Sequence, residues 1–234
     1  MSTFLAELVG TMCLILLGDG VVANVILKRT KGENSGWIVI TWGWACAVLI
    51  PAMIFGGISG AHFNPALTIA LAAIGKFAWA DVPMYIIAQM IGAIIGAVLV
   101  WIHYLPHWAE TEDQGTKLGV FCTGPAVRSY GANLISEIIG TFVLVFFILG
   151  LGTVDMAAGL GTFIVGLVIL SIGVSLGGTT GYAINPARDL GPRIAHAILP
   201  IAGKGDADWG YAWVPVVGPI IGGLLAAFFF AAIF

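Results

Sequence analysis

The chain has 234 residues, of which 59% are hydrophobic and only 9% charged. At this length such a composition excludes a soluble globule, because most helices must be buried in lipid or in one another. The net charge of −3 comes without a basic cluster, so binding to nucleic acid or to a polybasic-selective lipid surface has no electrostatic basis.

Six stretches are apolar and long enough to span a bilayer: Phe4 to Leu27, Trp37 to Phe55, Val82 to Tyr104, Ala132 to Leu149, Gly159 to Leu176, and Tyr211 to Phe234. The expected fold class is therefore an all-α, multi-pass membrane protein, with both ends on the same side. The start, Met-Ser-Thr-Phe-Leu-Ala-Glu, lacks a basic leader and runs straight into a full-length span, so the first helix is expected to remain in the mature protein. Cys13, Cys46 and Cys122 have no metal-ligand spacing and are expected to be free thiols.

Between spans two and three, Gly60-Ala61-His62-Phe63-Asn64-Pro65-Ala66 interrupts the apolar pattern, and 121 residues later Gly181-Tyr182-Ala183-Ile184-Asn185-Pro186-Ala187 repeats its Asn-Pro-Ala core. Asparagine is a good helix N-cap, and proline suits the first helical position because its missing N–H would have no partner there. Each tripeptide should start a helix too short to cross, Ala66 to Ile74 and Ala187 to Ile198. An irregular segment at membrane depth is tolerated only where its free backbone groups face protein or water.

The halves repeat elsewhere as well. Ala6-Glu7-Leu8-Val9-Gly10-Thr11 is echoed by Ser136-Glu137-Ile138-Ile139-Gly140-Thr141, and the Gly92 to Gly96 spacing by Gly218 to Gly222. One domain over 1–234 is expected, with repeats of about 1–115 and 116–234. Three spans per half invert the second copy, which brings Asn64 and Asn185 together near the midplane with both positive helix ends aimed at one spot. The glycine pairs suit helix packing within one protomer. The connection from Leu105 to Gly131 reads as a polar loop, and its carboxylates, with Asp206 and Asp208, as a solvated rim. If the ends are cytoplasmic, that side carries only Lys76 while Lys28, Arg29, Lys31, Lys117, Arg128 and Lys204 face outward, against the positive-inside rule.

The paired Asn-Pro-Ala loops, the preceding Ser59-Gly60-Ala61-His62, the following Arg188 and the repeated Glu7 and Glu137 resemble the major intrinsic protein family of aquaporins and glycerol facilitators, over nearly the whole chain. Asp189 directly after Arg188 is similar to the glycerol-conducting branch, as are Arg193, Pro215 and Val216. The resemblance implies a selectivity ring of Trp44, Gly173, Tyr182 and Arg188, with Trp42 as the alternative aromatic. Glycine at 173, where water-selective members carry histidine, would widen this ring and leave aromatic faces opposite a guanidinium. Such a ring fits a polyol, whose carbon edge can slide on the aromatics while its hydroxyls accept from Arg188.

The resemblance further implies a central constriction at Asn64 and Asn185. Pore-lining carbonyls are expected from Gly60, Ala61, His62, Gly181, Tyr182 and Ala183, with Glu7 and Glu137 as buttresses that hold the loops. The expected function is passive diffusion of glycerol, water and other small neutral solutes through a homotetramer in the plasma membrane, with ions and protons excluded. No cofactor, metal or catalytic residue is expected. An ion- or proton-coupled secondary transporter is the alternative, since such proteins also use inverted repeats and an intramembrane carboxylate can relay protons. A non-conducting junction protein on the same fold is a third reading. Asp19, near the end of span one, has no repeat partner and no assigned role.

Overall fold

The computed structural model describes every residue from Met1 to Phe234 and is all helical. Its long helices are α1 (Thr3–Ile26), α2 (Trp37–Ser59), α4 (Val82–His103), α7 (Tyr130–Leu151) and α10 (Val214–Ile233). Each has the length and hydropathy of a membrane span. The sixth apolar helix, α8 (Leu160–Leu176), has 17 residues and covers about 25 Å. Two short helices, α3 (Pro65–Ala73) and α9 (Pro186–Ile198), start at the two tripeptides.

Two boundaries differ from the sequence reading by more than two residues. Helix α2 continues to Ser59 through Gly56 and Gly57, because glycine lowers helix propensity without forbidding the helix. Helix α10 begins at Val214, with Tyr211–Trp213 forming the turn ahead of it. The connection from Leu105 to Gly131 also contains α5 (His107–Glu110) and α6 (Gln114–Phe121). Asp113 caps α6 by accepting from the Thr116 N–H at 2.6 Å, a local signal that the polar composition of the segment obscures.

Helix α1 packs along α4 and α7 along α10, while α2 packs on both α1 and α8. Glycine permits the two closest approaches. A Cβ on Gly92 would lie 2.2 Å from the Leu8 carbonyl oxygen, and one on Gly222 would lie 2.3 Å from that of Ile138. Both glycine pairs therefore seat helices against one another inside the protomer.

The distribution of polarity suits lipid on the outside. Ile50, Ile54, Ile87, Ile91, Ile135, Ile139 and Phe228 are exposed, whereas Glu7, Asp19, Gln89, Glu137, Arg188, Asp189 and Arg193 are buried. At the ends of the bundle the loop cations are engaged locally. Lys28 pairs with Glu33 at 2.9 Å, Arg29 with Glu110 at 3.1 Å, and Arg128 with Asp208. The Lys28 ammonium and the Arg29 N–H hold the Glu33 carboxyl below its ordinary range. Lys117 and Lys204 donate to backbone carbonyls.

Candidate functional site: two loops that meet between the half-helices

Both asparagines cap their helices. Asn64 Oδ1 accepts from the Ala66 N–H at 2.9 Å, and Asn185 Oδ1 accepts from those of Ala187 at 3.0 Å and Arg188 at 3.3 Å. The amide nitrogens then cross between the loops. Asn64 Nδ2 donates to the Ile184 carbonyl at 2.8 Å, and Asn185 Nδ2 donates to the Phe63 carbonyl at 2.8 Å. A primary amide has two N–H groups, so each asparagine keeps one for the cavity that both side chains line.

The loops are held by matched carboxylates. Glu7 accepts from the N–H groups of His62 (2.9 Å) and Phe63 (2.8 Å), from Ser59 Oγ (2.7 Å) and from Gln89 Nε2 (2.9 Å). Glu137 accepts from the N–H groups of Ala183 (3.0 Å) and Ile184 (2.9 Å) and from Thr180 Oγ1 (2.7 Å). One turn beyond each carboxylate a glycine receives a loop side chain. A Cβ on Gly10 would meet the Phe63 ring at 2.1 Å, and one on Gly140 would meet Ile184 Cγ2 at 3.0 Å. The repeated Glu-x-x-Gly spacing in α1 and α7 was the available signal for these two seats, since residues three apart share a helix face.

These anchors stabilise unusual backbone. Positive φ angles occur at Gly60 (82°), Ala61 (50°) and Phe63 (49°), and again at Gly181 (80°), Tyr182 (38°) and Ile184 (45°). A left-handed conformation costs a residue with a Cβ roughly 1–2 kcal/mol, most where the side chain is β-branched, and it persists only if the surroundings over-determine it. The N–H groups of His62, Phe63, Ala183 and Ile184 turn to the carboxylates, and the carbonyls of Gly60, Ala61, His62, Gly181, Tyr182 and Ala183 receive no donor from the protein.

Cavities run in series past these loops. The central one is mostly apolar and is lined by Ala61, His62, Asn64, Ala183 and Asn185. Trp44, Tyr182 and Arg188 line both this cavity and the next one, which includes Cys122, Thr123 and Gly181, so these three side chains form the neck between them. On the other side, Ala61 and Leu67 are shared with a third cavity that reaches Gly60. At the neck the Arg188 guanidinium lies 4.1 Å from the centroid of the Trp44 ring. Trp42 is about half exposed on the outer surface of α2.

Gly173, expected as a wall of the ring, lines neither cavity. A Cβ there would lie 2.9 Å from the Tyr182 Cζ and Oη atoms, and a Cβ on Gly177 would lie 2.4 Å from Tyr182 Cδ1. The two glycines, Gly173 in the last turn of α8 and Gly177 at its C-cap, form a slot that Tyr182 fills. The absent side chain therefore makes room for an aromatic instead of simply widening the opening. Trp37 closes the slot, donating from Nε1 to the Gly173 carbonyl at 3.0 Å and meeting the Tyr182 ring edge-on. Sequence spacing gave no hint of this, because the slot depends on how α2, α8 and the second loop converge.

Asp189 and Arg193 tie that loop region to two others. Asp189 accepts from the Thr123 N–H at 2.8 Å and from Arg193 Nε at 2.8 Å, while Arg193 donates to the carbonyls of Thr123 at 2.9 Å and Ala207 at 2.7 Å. Arg188 itself donates to the Phe121 carbonyl at 3.1 Å and pairs with Asp19 at 3.3 Å. His62 contacts Thr68 Oγ1 through Nδ1 and stacks edge-on with Phe77.

The chain is similar to known proteins along nearly its whole length. The family model described as major intrinsic protein matches residues 1–230. A probable glycerol uptake facilitator protein of Thermotoga maritima is 64% identical over 227 residues, covering 97% of each chain. The glycerol uptake facilitator protein of Bacillus subtilis is 60% identical over 234 residues, which is 100% of this chain and 85% of that one. Among solved structures, the aquaglyceroporin from Plasmodium falciparum superposes with a TM-score of 0.88 at 31% identity, covering 98% of this chain and 95% of that one. With a family match over nearly its full length and relatives this similar, the chain belongs to the major intrinsic protein family.

Proposed function

We propose that this protein is a passive channel that lets glycerol, water and other small neutral solutes diffuse across the membrane. The observation that carries the reading is the neck of Trp44, Tyr182 and Arg188, which opens on the central cavity beside the two asparagines. Aromatic faces can take the carbon edge of a polyol while the guanidinium and the free asparagine N–H groups donate to its oxygens. The six unpaired loop carbonyls offer acceptors along the rest of the route. Both half-helices point their positive ends at the midpoint, which disfavours cations and protons.

On this reading Glu7 and Glu137 are buttresses. Their carboxylate oxygens are occupied by donors from the loops and, for Glu7, also by Ser59 and Gln89, which suits a structural role better than a proton relay. Residues 1–115 and 116–234 then act as repeats of opposite sense around one path. A homotetramer is the assembly we infer, in keeping with the exposed apolar faces of the bundle and with the family.

Stopped-flow light scattering of proteoliposomes tests the proposal. Glycerol-driven swelling should be at least tenfold faster than in protein-free vesicles and indifferent to an imposed proton or sodium gradient. Equal rates with and without protein, or uptake that follows the ion gradient, would overturn it.

A further inference from the structure

We propose that Asp19 is a positioning and specificity-determining residue, which fixes Arg188 in the neck and cancels its charge so that small anions gain no foothold there. The inference rests on the channel reading above. Asp19 lies on α1, seven residues before its end and about 10 Å along the axis from it. It is fully buried, and its Oδ1 is 3.3 Å from Arg188 Nη1, the same nitrogen that donates to the Phe121 carbonyl at 3.1 Å. The preceding residue, Gly18, seats the other partner of the guanidinium. A Cβ on Gly18 would fall 2.2 Å from Trp44 Cζ3, so one turn of α1 supports both the indole and the arginine that stacks on it.

No other carboxylate supplies this counter-charge. Asp189, next to Arg188 in sequence, has both oxygens engaged by Arg193 and Thr123. Glu137 is bonded to the loop. Asp19 lines neither cavity at the neck, so it acts through Arg188 and not on the solute. An arginine cannot be deprotonated, and a lone guanidinium beside a narrow, low-dielectric path would be an anion site. Pairing it with a carboxylate leaves a fixed array of N–H donors with no net charge, which suits hydroxyl-bearing neutral solutes.

The test compares wild type with D19N, D19E and the double variant D19N/R188Q in proteoliposomes, measuring glycerol swelling and, under a potassium clamp, nitrate entry. Nitrate is chosen because it stays an anion at any usable pH. In D19N, nitrate permeability should rise at least tenfold while glycerol permeability falls two- to fivefold, a divergence that a loss of fold would not produce. D19E, which keeps the charge, should retain nitrate exclusion. The double variant should lose the nitrate leak because the guanidinium is gone. Unchanged nitrate exclusion in D19N, or a leak that persists in the double variant, would overturn the proposal. If D19N fails to reach the membrane, the double variant should restore its yield, and an equally absent double variant would also overturn it. A wild type that passes no glycerol defeats the channel reading instead, whatever nitrate does.

Discussion

Tyr182 is where single side chains decide the width of the neck. Its hydroxyl is buried against Gly173 with no hydrogen-bond partner, so it contributes contact but no polar interaction with the solute. Removing an unsatisfied buried hydroxyl is neutral or stabilising, and Tyr182→Phe should leave glycerol permeability within about twofold of wild type. A larger loss in light-scattering assays would mean that the hydroxyl reaches the path. Filling the slot behind the ring has the opposite consequence. Gly173→His and the smaller Gly177→Ala should both push Tyr182 into the neck, lowering glycerol permeability by about tenfold for each 1.4 kcal/mol of added barrier and water permeability much less. Equal proportional losses of the two solutes would place the discriminating step elsewhere. Trp44 and Trp42 show how far spacing can go at this scale, since both were candidates from the sequence and only Trp44 packs against Arg188.

At the scale of elements, the two loops behave as strained segments clamped by α1 and α7. Glu7→Gln and Glu137→Gln each replace one acceptor oxygen by an amide N–H that faces other donors. An unmatched buried donor costs about 1–3 kcal/mol, so either variant should reduce permeability to glycerol and water together and lower thermal stability. A variant with normal diffusion but altered dependence on a proton gradient would favour the relay reading. Helix pairing gives a second test. Gly222→Ala drives a Cβ to 2.3 Å from the Ile138 carbonyl, and overpacking of this kind costs about 1–3 kcal/mol. Thermal unfolding in detergent should shift down by several degrees, whereas alanine at Gly131, whose Cβ would meet nothing within 4 Å, should change little. The short helices α5 and α6 were hidden in the sequence because isolated helices of four and eight residues have little intrinsic stability. They form because Trp108 and Phe121 stack in the core and Asp113 supplies a cap.

For the whole molecule, composition and periodicity determined most of the architecture. A chain that is 59% hydrophobic must satisfy its backbone within helices, and the lengths of its apolar runs set where they lie. The two Asn-Pro-Ala tripeptides marked the interruptions because capping by asparagine and an N-terminal proline are local chemistry, readable without any partner. The echoed segments around Glu7 and Glu137 marked the internal repeat. The loop cations that the positive-inside count rests on are paired in the structure, Lys28 with Glu33, Arg29 with Glu110 and Arg128 with Asp208, partners that a count of residues does not identify.

Tertiary structure alone decided the rest. The crossed bonds from Asn64 to Ile184 and from Asn185 to Phe63 join groups 120 and 122 residues apart. The Arg188–Asp19 pair spans 169 residues, and the slot for Tyr182 is built from three separate elements. Sequence determines which groups are polar, capping or small through short-range chemistry. Which of them meet, and so how wide and how charged the path is, depends on the packing of helices whose apolar surfaces carry no record of register.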